Sequence, residues 1–176
     1  MPQRSLSSGR SALVALATCA AALLAVVPAG AAGRTAPPRC ATGGLVVWLD
    51  TTSNGAAGSF FYRLLFTNLT GRTCTLTGYP GVSAVDLRGR RIGSAALREP
   101  GTPVRTVVLA AGARAASTLR ITDVGVYPAS RCRATTAAGL RVFPPDQRAS
   151  KVVPFPFGAC SRAGTPFLHV RAVAAS

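Results

Sequence analysis

The sequence predicts an all-β fold, an immunoglobulin-like antiparallel β-sandwich held by two disulfides. Three observations predict it. Apolar and polar residues alternate in many short runs, glycine and proline separate these runs, and four cysteines follow a leader-like segment. Many short strands at regular spacing with turn residues between them are typical of sandwiches. No window of a dozen residues holds an uninterrupted helical stripe, and we expect only one helical turn, over 134–138.

Residues 1–31 have the pattern of a secretory signal peptide. Arg4 and Arg10 precede an apolar run over 12–27, and small residues at 28–31 suit cleavage after Ala31. We therefore expect an extracellular, secreted protein with no transmembrane segment after cleavage, a short linker over 32–39 and a single domain over 40–176. A lipid anchor at Cys19 is the less favoured alternative, because a lipidated cysteine follows a small residue and Thr18 fits that position poorly.

Each predicted strand is a period-two alternation or a short apolar run between turns. In the clearest one, Phe60, Tyr62, Leu64 and Phe66 share a face. The predicted strands are 44–50, 60–68, 82–87, a short partner around Ile92, 104–109, 113–121, 139–143, 151–153 and 167–173. Between them we expect a turn over 69–72, a loop over 75–81 and a hairpin-like turn over 88–91, where Gly89 lies. Pro154 and Pro156 fit an edge strand or an extended loop.

Three local features have structural interpretations that we favour over functional ones. Trp48 is expected to be buried in the sandwich rather than to serve as an exposed sugar-stacking platform. Asn68 begins a glycosylation-like sequence but is expected to close a turn on its own backbone. In the segment 79–81, Pro80 is expected to set a turn, Gly81 to adopt a positive φ, and Tyr79 to pack over the Cys74 bridge.

Four cysteines remain once Cys19 leaves with the signal peptide. An even number in an exported chain predicts two disulfides. We favour Cys40–Cys74 with Cys132–Cys160, because each pair joins neighbours in sequence, and the other two pairings stay open. Each bridge would contribute about 3–4 kcal/mol in the chain-entropy model. The spacing contains no Cys-x-x-Cys knuckle, so we predict no metal site.

The chain is strongly basic, with a formal charge of +15, or +13 once Arg4 and Arg10 are removed. The densest basic group, Arg88, Arg90, Arg91 and Arg98, is the candidate anion-binding site. An anionic cell-envelope polymer or a protein partner would suit it. No aromatic residues interleave with these arginines, so we predict no specific nucleic-acid binding, and no feature suggests a cofactor.

Residues with catalytic potential are few and scattered. His169, the only histidine, lies between Leu168 and Val170 in the last predicted strand, and no Gly-x-Ser-x-Gly elbow accompanies it. The five acidic residues are expected at strand ends or turns, where a carboxylate caps backbone amides. We therefore predict no catalytic centre, and we interpret His169 as a polar position of an alternating strand.

The run from Phe66 to Val82, Phe-Thr-Asn-Leu-Thr-Gly-Arg-Thr-Cys-Thr-Leu-Thr-Gly-Tyr-Pro-Gly-Val, resembles a family of secreted actinobacterial domains called domain of unknown function four-two-three-two. The resemblance extends over nearly the whole mature chain. It includes Cys40, Leu-Ala-Ala-Gly at 109–112, Tyr-Pro at 127–128 before Cys132, Gly-Leu-Arg-Val at 139–142 before Pro-Pro at 144–145, and Cys160. It implies export and a β-sandwich. The family has no assigned activity, so the resemblance implies no site residue.

Three functional hypotheses remain. The first is a secreted, non-enzymatic binding module at or near the cell envelope. The second is a secreted protease inhibitor that presents a rigid loop, for which the segment Pro154-Phe155-Pro156-Phe157 near Cys160 is the candidate. The third, an enzyme built on His169 and an acid, is the least favoured.

Overall fold

The computed structural model describes residues 35–176. The predicted signal peptide, Cys19 and the beginning of the predicted linker lie outside the described residues. The all-β prediction is confirmed, since strands account for most of the regular structure. The strands in chain order are β1 (Leu45–Ala56), β2 (Ser59–Asn68), β3 (Cys74–Thr77), β4 (Gly81–Val85), β5 (Arg91–Ile92), β6 (Leu97–Arg98), β7 (Thr106–Leu109), β8 (Arg114–Thr122), β9 (Ala134–Phe143), β10 (Lys151–Cys160), β11 (Leu168–Val170) and β12 (Ala174–Ala175).

The described strands form three sheets. The large sheet has the order β1-β2-β8-β11-β6, with β12 also paired to β8. The four-stranded sheet has the order β10-β9-β4-β5, and the small sheet consists of β3 and β7. The ladders are antiparallel except for β11 with β6, which run parallel. The immunoglobulin-like arrangement stays a prediction.

One hydrophobic core joins the inner faces of all three sheets. Leu64 and Phe66 of the large sheet, Leu140 of the four-stranded sheet and Leu76 and Leu109 of the small sheet all belong to it. In β8, residues 115, 117, 119 and 121 are buried and the residues between them are more exposed, so the predicted period-two alternation is observed. Removing these alternating apolar faces from water is the main force that holds the sheets together.

Over residues 35–176, helical structure is limited to three short segments, a 3-10 turn at Thr42–Gly44, another at Val124–Val126 and one α-helical turn at Ala129–Cys132. The prediction of a helical turn over 134–138 is wrong, because this segment is the first half of β9. Its residues pair in register with the end of β10, from Ala134 opposite Cys160 to Ala137 opposite Phe157. Long-range pairing overrides the local preference of alanine for helix.

Several other segments differ from the predicted pattern. β1 continues to Ala56, past the predicted end at residue 50, and neither β6 nor β12 was predicted. β3 lies largely in the region predicted as a loop, and β10 continues from Lys151 to Cys160, well past the predicted 151–153. β10 passes through Pro154 and Pro156, with a register irregularity between Pro154 and Phe157. β10 is an edge strand of its sheet, which is where a strand tolerates proline.

The described part of the chain contains two disulfides. One joins Cys40 to Cys74 and the other joins Cys132 to Cys160, with sequence separations of 34 and 28 residues. This is the pairing that the spacing favours. The first bridge ties the segment before β1 to the small sheet, and the second ties the α-helical turn to the end of β10. All four cysteines are buried.

Within residues 35–176, none of the helices has the length and the apolar character that a membrane crossing requires.

Candidate functional site

The structure brings together three of the four arginines of the predicted anion site. Arg88 and Arg90 lie in the turn that follows β4, and Arg91 is the first residue of β5. Arg98 lies instead in β6 of the large sheet, where its guanidinium carbon is 5.4 Å from the centre of the Tyr79 ring. Arg98 therefore lines a different pocket from the other three arginines, and anion binding by any of them stays a prediction.

The Tyr79 turn itself differs from the prediction. The positive φ falls on Gly78, at 99°, and not on Gly81, which starts β4. The ring of Tyr79 carries the Arg98 guanidinium on its face in a cation–π contact, and the two side chains line a pocket that contains none of the other three arginines.

Asp86 organises the turn that carries Arg88 and Arg90. Its Oδ1 accepts hydrogen bonds from the backbone N–H of Arg88 at 3.0 Å and of Arg90 at 2.8 Å, and its Oδ2 accepts from Arg90 Nε at 2.8 Å. Gly89 takes a positive φ of 72°, and Arg141 donates to its carbonyl oxygen at 2.6 Å. A short polar side chain bonded to the following N–H groups is the usual device for closing such a turn.

The same contacts keep the Asp86 carboxylate ionised. The backbone N–H of Arg90 is the largest cause that lowers its pKa, and the Arg90 guanidinium lowers the pKa further, which outweighs the opposite effect of desolvation. Asp86 and Arg90 therefore offset each other's charge. Arg88 and Arg91 are exposed, and their guanidinium groups make no hydrogen bond or ion pair within the described part of the chain. The turn and the start of β5 thus present two uncompensated positive charges, one on Arg88 and one on Arg91.

These arginines line a groove. Its larger part has a volume of about 630 Å³ and runs between the turn, with Asp86, Leu87, Arg88 and Arg90, and the opposite wall, with Thr136, Ala137, Ala138 and Pro156. Its smaller part, of about 380 Å³, adds Arg91, Ile92, Gly93, Thr135 and Ser161. The two parts share Asp86, Arg90 and Thr136, so they are continuous, and we call them together the arginine groove.

The arginine groove exists because β4 is shorter than its neighbour. β4 stops at Val85, opposite Gly139, whereas β9 already begins at Ala134. Leu87, at the rim, is 95% exposed and adds an apolar surface beside the charged side chains. The wall of β9 and Ser161 was not predicted as part of any site, because its contacts to the turn span about fifty residues of sequence and leave no local signal.

His169 lies on a different surface, the outer face of the large sheet. It is paired with Arg120 of β8 and with Leu97 of β6. Arg120 binds Glu99, with 2.9 Å between Nη2 and Oε1, and Arg171 Nε lies 3.6 Å from Glu99 Oε2. Desolvation is the largest cause that lowers the pKa of His169, the positive charge of Arg120 lowers the pKa further, and Glu99 partly offsets both.

No hydrogen bond joins His169 to a hydroxyl or a thiol in the described chain, and its Nδ1 has no partner there. Its neighbours are an arginine and a glutamate that already bind each other. The position of His169 at an alternating, half-buried place of β11 is the one predicted from sequence.

The observed position of Trp48 differs from the predicted one. The prediction that Trp48 is buried is wrong, because its side chain is 38% exposed. Leu45 and Leu49 point to the core, so the period of two sends Trp48 to the outer face of the large sheet. There its ring lies 5.9 Å from the guanidinium carbon of Arg114. β1 is an edge strand with one exposed face, so even a large aromatic residue on that face is not buried.

The segment 154–157 does not project as a loop. It is part of β10, and Phe155 and Phe157 are half-buried against the core. Phe155 packs edge-on against Tyr62, with ring centres 5.1 Å apart, and Phe157 packs against Phe167 at 6.5 Å. The rigid loop on which the inhibitor hypothesis depends is therefore absent at this segment.

Fold and groove together define the class of this molecule: an all-β domain with two disulfides and an arginine-lined groove. A family model described as Domain of unknown function (DUF4232) matches residues 40–174. The chain belongs to this family, as the resemblance predicted. No curated protein and no solved structure matches the chain significantly. The description of the family specifies no activity.

Proposed function

We propose that this protein is a secreted, non-enzymatic binding module that works at or near the cell envelope and holds an anionic ligand in the arginine groove. The observation that carries the proposal is the pair of uncompensated arginines, Arg88 and Arg91, on the wall of a groove whose one carboxylate, Asp86, is already engaged by Arg90. A guanidinium binds carboxylate or phosphate through two parallel hydrogen bonds, which a lone lysine cannot do.

The overall charge supports the same function. The formal charge of +15, or +13 once Arg4 and Arg10 leave with the predicted signal peptide, creates a positive field that attracts polyanions and raises their rate of association. Two disulfides favour an oxidising compartment outside the cytoplasm, in agreement with the signal-peptide pattern. Envelope polymers and acidic proteins are the anionic ligands that such a compartment offers.

The test is binding of the purified protein to isolated bacterial cell walls, to polyphosphate and to poly-glutamate at rising salt. The variant Arg88→Glu/Arg91→Glu reverses both groove charges and leaves the Asp86–Arg90 contact intact. The matched control, Arg105→Glu/Arg148→Glu, makes the same change in net charge at two exposed arginines that do not line the groove.

We expect the groove variant to lose at least about tenfold in affinity for the ligand that the wild type retains, since two bidentate contacts become repulsive. The control should change affinity by no more than about twofold at moderate salt, because distant exposed charges are screened. Equal losses in the two variants, or no binding by the wild type to any of the three polymers, would overturn the proposal.

A further inference from the structure

The arginine groove contains a strand edge that lies open inside a sheet. β9 is an interior strand, with β10 on one side and β4 on the other. Over residues 134–138, however, only β10 accompanies it, because the register with β4 ends at the pair Val85–Gly139. In the described chain no strand pairs with 134–138 on the side where β4 has ended.

The turn beyond β4 does not fill this position. Its backbone bonds are internal, from Asp86 N–H to the Arg90 carbonyl at 3.0 Å and from Gly89 N–H to the Asp86 carbonyl at 2.9 Å. Thr135 and Thr136, in the open stretch of β9, are exposed. Every second residue of a strand directs its N–H and C=O toward a given neighbour, so 134–138 offers alternating donors and acceptors to the groove.

We propose that the ligand of the arginine groove is an extended acidic segment of another protein, which adds as a strand to the open edge of β9. This inference rests on the function proposed above and specifies its ligand class. The backbone of the segment would pair with 134–138, over about 17 Å. Its carboxylates would bind Arg88 and Arg91 on the facing wall.

The open strand edge is the reason for choosing a polypeptide over a polyphosphate or an acidic polysaccharide. Only a peptide backbone repeats an N–H and a C=O at the spacing that a strand edge requires. Leu87 and Pro156 line the same groove and give apolar contacts to side chains of the segment. The preferred sequence is therefore one in which acidic and apolar residues alternate.

The experiment measures the affinity of a labelled peptide of alternating Glu and Val for the purified protein by fluorescence polarisation. Two N-methylated versions remove the backbone N–H groups of alternate residues, one version in each phase. In a strand only one phase faces β9, so we expect one version to lose at least about tenfold in affinity and the other to lose about threefold or less. Amide exchange over 134–138 should slow when the unmodified peptide binds.

Three outcomes would overturn strand addition. They are equal affinity of both N-methylated versions and the parent peptide, unchanged exchange over 134–138, or polyphosphate of equal charge binding as tightly as the peptide. The variant Arg88→Glu/Arg91→Glu separates this failure from failure of the proposed function. If one of these outcomes is found and the variant abolishes binding of the peptide, the groove binds anions without strand addition. If it binds the peptide as the wild type does, the groove is not the site and both proposals fail.

Discussion

Asn68, at the end of β2, shows how much one buried side chain holds in place. It is completely buried. Its Oδ1 accepts from the N–H of Thr70 at 3.0 Å, which closes the turn predicted from the local sequence. Its Nδ2 donates to the carbonyl oxygens of Arg72 at 2.8 Å and Leu109 at 3.0 Å, and a third carbonyl, that of Ala110, lies at 3.2 Å. One amide therefore joins the turn after β2 to the end of β7.

We predict that Asn68→Ala lowers the free energy of unfolding by about 2–4 kcal/mol, because buried backbone groups lose their partners and no water replaces them. Urea unfolding followed by circular dichroism measures the change. Asn54→Ala, at an exposed position of β1, is the control and should change stability by less than about 0.5 kcal/mol. A similar small change for Asn68→Ala would show that the buried network contributes nothing.

The contacts of a single side chain could be predicted only where its partners are close in the sequence. The bond from Asn68 to Thr70 spans two residues and follows from the Asx-turn preference. Its bonds to Leu109 and Ala110 cross about forty residues and could not be predicted. The prediction that Trp48 is buried was wrong for the same reason. Burial of Trp48 depends on whether another layer of the fold covers its face of the sheet, and no neighbouring residue in the sequence determines that.

At the scale of elements, the turn of the β1–β2 hairpin contains an unfavourable residue, Ala57, which a substitution can improve. Ala56 pairs with Ser59, so the loop consists of Ala57 and Gly58 alone. Both have positive φ, 46° and 72°, as a two-residue turn of type I′ requires. Glycine accepts this conformation without strain, whereas an alanine there is strained by its Cβ.

We predict that Ala57→Asn raises the free energy of unfolding by about 0.5–1 kcal/mol, since asparagine tolerates positive φ and Asn-Gly is the preferred pair for this turn. Thermal unfolding measures the gain. The control Ala56→Asn adds the same side chain one position earlier, in the extended strand, and should not stabilise. A gain of equal size in the control would mean that the turn conformation is not the cause.

Strands with a strong alternation were predicted nearly to their ends. The prediction of 60–68 corresponds to Ser59–Asn68, and 113–121 corresponds to Arg114–Thr122. β3 and the first half of β9 were missed because threonine-rich and alanine-rich segments become strands only through distant partners. Half of the arginine groove depends on that part of β9. The sequence therefore indicated three arginines of the groove, whereas the shape of the groove could not be predicted.

At the scale of the whole molecule, the two disulfides hold different regions. Cys40–Cys74 connects the segment before β1 with the small sheet. Cys132–Cys160 lies at the beginning of β9 and the end of β10, next to the pair of Ala134 with Cys160 that starts the β9–β10 ladder. The second bridge is therefore next to the open edge of β9, whereas the first is tied to the small sheet.

We predict that Cys40→Ala/Cys74→Ala and Cys132→Ala/Cys160→Ala each cost about 3.5 kcal/mol, since loops of 34 and 28 residues have similar closure entropy. Each variant should lower the melting temperature by about 10 °C. Only removal of Cys132–Cys160 should also accelerate amide exchange over 134–138, because the bridge restrains the end of that ladder. Since both variants remove one bridge of comparable loop size, each serves as the control for the other. Equal amide exchange over 134–138 in the two variants would show that the open edge is ordered by the sheet alone. An unchanged melting temperature in one variant would show that the bridge removed there does not constrain the unfolded chain.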